Sequence, residues 1–336
     1  MKFSVPYNND FSLLEELARI KEINGNRIEE IYFSGPQDHC GSGRVMDKTT
    51  PKDIAKVTEF CHKEGIKANM LLNSTCEGLN GYSESNVSKV LKLVETLYRE
   101  HGLERVTIAN PLWIQKISSE FPKIKISASV LSQIDSIQRA VLFKRFGAST
   151  ITPDRDINRN LRLLEDIRHS TGCELKLMVN EGCLYKCPYR IFHFNLVSHC
   201  SVEGIDPKEA FFFNCHKLSA NEPSLILMSP WINPENLKTY GKITNYFKIT
   251  GRSHSKEWII NTTKAYLSEN FEGNLLDIMD SNLDCFNKKF GRSINNKSLE
   301  KLGFFNRIIE CDKDLCRGKY CIEALEDCSK ISKSFK

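Results

Sequence analysis

The sequence predicts an α/β protein, a (β/α)8 TIM-like barrel followed by a cysteine-rich C-terminal extension. Within the 336 residues, short apolar runs alternate with longer amphipathic runs. The alternation repeats about eight times over roughly 250 residues, as is typical of such barrels. A doubly wound sheet is the alternative, but no Gly-x-Gly-x-x-Gly turn is present. We therefore expect a barrel over residues 1–272 and the extension over residues 273–336.

Each expected element follows from the spacing of apolar residues. Strands are expected at 2–6, 30–35, 67–73, 105–110, 125–129, 149–153, 174–180 and 246–251. Helices are expected at 11–23, 51–64, 84–101, 112–121, 133–146, 158–170, 234–241 and 253–270. Thr50 before Pro51 is a typical helix start. The apolar run 224–230 is interpreted as an extra strand.

Composition limits the class of protein. The net charge of +5 is compatible with RNA or an anionic small molecule as partner, but no run of lysine and arginine typical of nucleic-acid binding stands out. The first residues lack the long apolar segment of a secretory signal, and no apolar run is long enough to span a bilayer. We therefore expect a cytoplasmic protein without a membrane span.

Polar residues end several of the expected strands. In a barrel, the C-terminal ends of the strands carry the active site. Asparagine and serine are also common loop residues, so each of these positions has a structural explanation as well. The candidates are Asn73, Asn110, Ser129, Asn180 and Glu181.

A cysteine cluster follows the seventh expected strand. It consists of Cys183, Cys187, Cys200 and Cys215, out of 13 cysteines in the chain. In a cytosolic protein, clustered cysteines more often bind metal or act in redox chemistry than form disulfides. Four thiolates suit either tetrahedral zinc or an iron–sulfur cluster. Buried cysteines without a ligand role are the other interpretation, and nearby histidines are alternative ligands: His193, His199 and His216.

A second cysteine group lies near the end of the chain. Cys311, Cys316, Cys321 and Cys328 are separated by four, four and six residues. This spacing is compatible with a second metal site or cluster. It is equally compatible with a thiol-rich tail that is sensitive to oxidation.

Two further segments carry a family resemblance. Residues 32–44, YFSGPQDHCGSGR, and residues 248–252, KITGR, resemble the second-strand loop and a late Lys-Ile-Glu-Gly-Arg element of the collagenase-like peptidase family, peptidase family U32. The resemblance covers roughly residues 1–270. It implies a barrel, and it implies an iron–sulfur protein of the oxygen-independent hydroxylase type, because several members modify tRNA, ribosomal RNA or ubiquinone precursors, some with prephenate as oxygen donor.

The resemblance also implies a ligand set. A 4Fe–4S cluster is expected on Cys183, Cys187, Cys200 and Cys215, with Cys40 as an alternative to Cys215. Zinc is the alternative metal, and the C-terminal cysteines raise the number of possible clusters to two.

The expected function is therefore an iron–sulfur oxidoreductase that hydroxylates, or otherwise modifies by redox chemistry, an RNA, an aromatic or quinone-type molecule, or a peptide. Arg44, Arg190, Arg252 and Glu181 are the candidate substrate-binding residues, since guanidinium pairs bidentately with carboxylates. Structural ion pairs are the alternative role for each arginine. A related heterodimer partner or electron donor is also expected.

Two other classes of function stay open. One is a non-catalytic, metal-stabilised subunit of a heteromeric complex. The other is a peptidase, although the sequence contains no His-Glu-x-x-His motif and no recognisable Ser-His-Asp or Cys-His arrangement.

Overall fold

A parallel barrel forms the centre of the protein and confirms the expected fold class. The computed structural model describes residues 1–36, 41–205, 210–280, 293–311 and 314–334. The strands are β1 (Lys2–Pro6), β2 (Glu22–Ile23), β3 (Asn26–Ser34), β4 (Lys67–Leu72), β5 (Arg105–Ile108), β6 (Lys125–Ala128), β7 (Thr150–Ile151), β8 (Glu174–Leu175), β9 (Leu177–Met178) and β10 (Tyr246–Lys248). Each of the eight expected strand regions contains an observed strand.

The strands close into a ring with one break. Hydrogen-bonded neighbours follow the order β8-β7-β6-β5-β4-β3-β1-β10-β9. Only Lys176 separates β8 from β9, so these two segments share one strand position. The break is bridged, because the Lys176 N–H donates to the carbonyl oxygen of Ile151 at 2.9 Å while β9 pairs with β10. The barrel therefore has eight strand positions and is closed except at this point.

Helices connect the strands and cover the outside of the barrel. They are α1 (Phe11–Arg19), α2 (Pro51–Lys63), α3 (Glu84–His101), α4 (Pro111–Glu120), α5 (Ile137–Arg145), α6 (Leu161–Thr171), α7 (Arg190–Glu203), α8 (Ala210–Asn221), α9 (Ser224–Met228), α10 (Lys256–Ser268), α11 (Asn296–Lys301), α12 (Phe304–Glu310) and α13 (Asp314–Ser334). Short 3₁₀ turns include Arg155–Ile157 and Pro234–Tyr240. The expected start of α2 is confirmed, since Thr50 and Asp53 form a reciprocal capping box. Over the residues described, none of these helices is long and apolar enough to cross a membrane.

The apolar run 224–230 is a helix, so its interpretation as a strand is wrong. Residues Ser224–Met228 form α9, and only Ile226 and Leu227 within it are fully buried. Short apolar runs do not distinguish a buried strand from a short helix. Here the barrel positions on both sides are already taken by β9 and β10, which pair directly with each other.

The first helix is shorter than expected. It ends at Arg19, and the chain then forms a hairpin in which Ile23 pairs with Asn26. Asn24 and Gly25 both have positive φ, at 54° and 75°, as a tight hairpin turn requires. The Asn-Gly dipeptide was the local signal for this hairpin.

The C-terminal extension shares the hydrophobic core of the barrel. Phe304 of α12 stacks on Trp231 with ring centroids 5.9 Å apart, and on Tyr320 of α13 at 5.4 Å. Cys321 and Cys328 lie in the same hydrophobic cluster as the barrel strands. The described part of the extension is therefore packed onto the barrel as a continuation of its core.

The inside of the barrel is charged near the amino-terminal ends of the strands, where many barrels are filled with branched apolar side chains. Glu30 is buried and accepts hydrogen bonds from Ser4 at 2.7 Å, Asn69 at 2.8 Å and Arg105 at 3.0 Å, and from the Lys176 amine. Burial opposes ionisation of Glu30, but Lys176 and Arg105 outweigh it and lower the pKa of this carboxyl. We name Glu30 and these four partners the lower network.

Candidate functional site

A pocket opens at the C-terminal ends of the strands, and we call it the mouth pocket. Its described lining includes six charged side chains: Arg44, Arg155, Glu181, Lys248, Arg252 and Asp280. The pocket encloses about 60 Å³. By that measure one water needs roughly 10–15 Å³, so the space suits a small polar molecule or group.

The alternation of β10 positions part of this lining. Phe247 and Ile249 face the hydrophobic core, whereas Tyr246 lines a lower polar cavity and Lys248 and Thr250 line the mouth pocket. Side chains of a strand alternate between its two faces, so every second residue of this segment points into the barrel.

Gly251 then turns the chain so that Arg252 also reaches the pocket. Its φ is +122°, and a Cβ atom there would lie 2.3 Å from the Trp258 ring. The Lys-Ile-Thr-Gly-Arg segment thus places two cationic side chains at one site through strand alternation and one glycine.

The two carboxylates of the mouth pocket are already engaged. Glu181 forms an ion pair with Arg155 at 3.0 Å, and Asp280 forms one with Arg44 at 2.8 Å. The His254 Nε2 atom is 3.2 Å from Asp280. Burial works against ionisation of Asp280, yet Arg44 and His254 lower its pKa to about 2. Asp280 therefore stays ionised at neutral pH, and each of the two carboxylates is paired with one of the four basic side chains.

Lys248 and Arg252 are the other two cations. The Arg252 guanidinium donates to the hydroxyls of Ser34 and Ser42, the latter at 3.3 Å, and forms no ion pair within the described residues. Burial lowers the pKa of Arg252 to about 10, so it still carries its charge at neutral pH. Lys248 is buried, with its amine 4.0 Å from the centroid of the Tyr32 ring. The described lining of the pocket thus has an excess of positive charge.

Three of the four candidate substrate-binding residues meet at this pocket. Arg44, Arg252 and Glu181 line it. Arg190 is held elsewhere, with its guanidinium on Asp154 at 3.0 Å and on both oxygens of Asp156 at 2.8 Å. These contacts anchor the start of α7 and match the structural ion-pair role that was the alternative for this residue.

Of the polar residues at the ends of the expected strands, some line the mouth pocket and others have structural roles. Asn73 and Ser129 line the mouth pocket beside Glu181. Asn110 instead caps α4 by accepting from the Leu112 N–H at 3.0 Å. Asn180 is fully buried and holds backbone groups of Thr250 and Ile278.

The four predicted barrel ligands are not gathered into one group. Cys183 is half-buried beside Glu181 and Arg155, and burial and the Glu181 charge raise the pKa of its thiol. Cys187 is close enough to Cys215 to contribute to the raised pKa of that thiol, after the larger effect of burial. Cys200 is buried on α7.

Metal-ligand geometry is missing from the part of the chain that is described. There, no set of three or more His, Cys, Asp or Glu side chains is arranged to hold a metal ion. Cys40 and the Cys316 side chain lie outside the described residues. Cys311, Cys321 and Cys328 are buried within the extension. The described thiols are therefore not gathered into a ligand group, and both cluster assignments stay predictions.

The three candidate histidines do not join a metal-binding group among the described residues, although His216 is close enough to His193 to contribute to the lowered pKa of His193. The Nε2 atom of His199 is 3.0 Å from the Cys76 thiol, a contact that the sequence did not indicate. Burial, together with Arg44 and Arg155, lowers the pKa of His193 to about 4. Burial also lowers the pKa of His216.

Three mouth-pocket residues escaped the sequence analysis as site residues. Arg155 follows the sixth strand position, so the rule that active sites lie at strand ends could have found it. Lys248 was noted only within the family-like segment, although inward alternation also selects it. No local signal marked Asp280, which lies outside the expected barrel.

Comparisons with known proteins agree with this architecture. The model of peptidase family U32 matches residues 15–270. An uncharacterized protease of Methanocaldococcus jannaschii is 29% identical over 337 aligned positions, covering 98% of this chain and 99% of the relative. The solved structure of a U32 peptidase superposes with a TM-score of 0.56 and 17% identity, over 74% of this chain and 92% of that one, which supports the shared fold. The chain therefore belongs to peptidase family U32.

Proposed function

We propose that the protein is an enzyme whose mouth pocket binds a small molecule bearing a carboxylate. One observation carries this proposal: the described lining has three guanidinium groups and the Lys248 amine against two carboxylates, both carboxylates are already paired, and Arg252 has no ion-pair partner among the described residues. Buried cations without a counterion are costly, and a bound carboxylate would offset that cost. Arginine also offers paired donors that match the two oxygens of a carboxylate.

We further propose that the reaction is an oxygen-independent hydroxylation or a related redox modification of an RNA, an aromatic or quinone-type molecule, or a peptide. Membership of family U32 and the family-like segments 32–44 and 248–252 support this reaction class. An iron–sulfur cluster would supply single-electron transfer when bound. Within the described residues the thiols are not gathered into such a site.

Carboxylate binding is the experiment that tests the first proposal. Isothermal titration calorimetry with a panel of small mono- and dicarboxylates is expected to give saturable binding of at least one of them. The corresponding carboxamides are the matched controls and are expected not to bind. Equal binding of acid and amide, or no binding across the panel, contradicts the proposal.

Metal content tests the cluster assignment. Protein purified without oxygen is expected to contain iron and sulfide, and Cys187→Ala is expected to lose both. Cys61→Ala is the control, because Cys61 is buried in the core on α2 and is not a predicted ligand. Full iron and sulfide content in Cys187→Ala would show that this thiol is not a ligand.

A peptidase is the second candidate function, because one observation favours it. Cys76 and His199 form a thiol–imidazole contact of 3.0 Å, and such pairs activate the nucleophile of cysteine hydrolases. Cleavage of a fluorescent casein substrate that is abolished by Cys76→Ala would support this candidate. Cleavage that persists unchanged in the variant would exclude Cys76 as the nucleophile.

A further inference from the structure

The amine of Lys248 is set apart from the guanidinium groups of the mouth pocket. Its side chain is 8% exposed and lines the pocket at the end of β10. Over the residues described, the contact of this amine is the face of the Tyr32 ring, 4.0 Å from its centroid. The Tyr32 hydroxyl is directed elsewhere and donates to the Ile249 carbonyl at 2.9 Å. Among the described residues, no carboxylate forms an ion pair with this primary amine, which faces the pocket.

The charges around this amine favour its neutral form. Burial is the largest effect that lowers the pKa of Lys248 to about 7, and the neighbouring cations Lys176 and Arg252 add to it. Glu30 and Glu181 oppose the shift, but each of these is engaged by another cation. The Lys248 amine is therefore far more often unprotonated at neutral pH than an ordinary lysine, whose pKa is about 10.4.

Lys248 and Arg252 share one aromatic wall. The Arg252 guanidinium carbon is 5.9 Å from the centroid of the Tyr32 ring on which the Lys248 amine also lies. Both groups line the mouth pocket, so a ligand whose carboxylate binds Arg252 lies in the same pocket as the Lys248 amine. A neutral amine beside an anion-binding group suits a molecule that carries both functions on neighbouring carbons.

We propose that Lys248 is a nucleophile that forms an imine with a 2-oxo carboxylate bound in the mouth pocket, an inference that rests on the proposed carboxylate site. The lone pair of Lys248 Nζ attacks the carbonyl carbon and a C–N bond forms. The carbonyl oxygen departs as water with the two hydrogens of the amine, so no oxidant or reductant is consumed. The imine withdraws electrons from its carbon and thereby activates the neighbouring C–H and C–C bonds.

Reductive trapping tests this inference with pyruvate as the probe. The full-length protein is incubated with pyruvate and cyanoborohydride near neutral pH, and modified lysines are located by peptide mass mapping. We expect a saturable N-carboxyethyl group on Lys248 that forms faster as the pH rises through about 7, where this amine loses its proton. Lactate, which has the carboxylate but lacks the carbonyl, should compete. Acetone, which lacks the carboxylate, should not label Lys248 preferentially.

Two variants make the result decisive. Lys248→Arg places a permanently cationic guanidinium at this position and cannot form the imine, so it is expected to bind lactate and to lose the specific label. Lys116→Arg removes an exposed lysine and is expected to leave labelling of Lys248 unchanged. If lactate binds but label is spread evenly over exposed lysines, the imine inference is wrong and the carboxylate site stands. If neither pyruvate nor lactate nor any carboxylate of the panel binds, the proposed function itself is wrong.

Discussion

Replacement of Arg252 by glutamine is expected to weaken carboxylate binding to the mouth pocket roughly 30- to 1,000-fold, the equivalent of about 2–4 kcal/mol for truncating one partner of a buried charge pair. Arg252 is 5% exposed, and its described hydrogen bonds go to two hydroxyls. Its charge is therefore available to a ligand, unlike those of Arg44 and Arg155, which face carboxylates. Titration calorimetry with the tightest carboxylate of the panel measures the loss.

The control for this variant is Arg162→Gln, which removes an exposed arginine on α6. It is expected to bind the carboxylate like the wild type, so that a change in net charge alone is excluded as the cause. Circular dichroism and the unfolding midpoint should show that Arg252→Gln is folded. A folded Arg252→Gln protein with undiminished affinity would rule out Arg252 as the carboxylate-binding group.

Replacement of Glu30 by glutamine is expected to lower the free energy of unfolding by about 3–5 kcal/mol, as breaking a buried ion pair on one side usually does. The carboxylate is 1% exposed and serves both Lys176 and Arg105. The amide would leave the Lys176 ammonium buried without a counterion. Urea unfolding followed by circular dichroism measures the difference. Glu16→Gln, in an exposed pair with Arg19, is the control and should change the stability by less than about 0.5 kcal/mol.

The same variant has a pH signature. The pKa of Glu30 is lowered in the folded protein, so its contribution to stability is present above the ordinary glutamate pKa of about 4.3 and is lost as the pH falls further. The difference in stability between wild type and Glu30→Gln should therefore be largest near neutral pH and shrink in acid. A difference that grows as the pH falls would contradict the ion-pair explanation.

The barrel could be predicted from the sequence because each strand is marked locally. Apolar runs such as 67–73 and 105–110 are flanked by segments in which apolar residues have helical spacing. Repetition of this strand-and-helix unit predicts the barrel. The same local information fails for residues 224–230, where strand and helix have the same apolar content. Local sequence also does not distinguish an arginine in a structural ion pair from an arginine that lines the pocket. Arg190 and Arg252 have no distinguishing local pattern, and only folding brings Asp154 and Asp156 next to Arg190.

The polar interior was predictable in part. Glu30, Tyr32 and Ser34 alternate with apolar residues in β3, which indicates an inward polar face. The partners of Glu30 were not predictable, since Arg105 on β5 and Lys176 between β8 and β9 lie far along the chain. The cysteines are conspicuous in the composition, and their number predicts a ligand set. Lys248 is a single lysine in a strand, so the composition gives no signal for it.

The position of Asp280 matters for any shortened form of this protein. The family match ends at residue 270, ten positions before the carboxylate that pairs with Arg44. A shortened chain cut at that boundary would retain all eight strand positions and still lose a wall of the mouth pocket, as well as the backbone bond between the Asp280 N–H and the Asn180 oxygen at 2.7 Å. Its Arg44 would then be an unneutralised cation, and it would attract anions for a reason unrelated to the intact enzyme. Binding assays on a chain cut at residue 270 would thus overstate the affinity of the mouth pocket for anions and understate its selectivity among them. A chimaeric protein built from this barrel must include the residues through Asp280 to retain the mouth pocket.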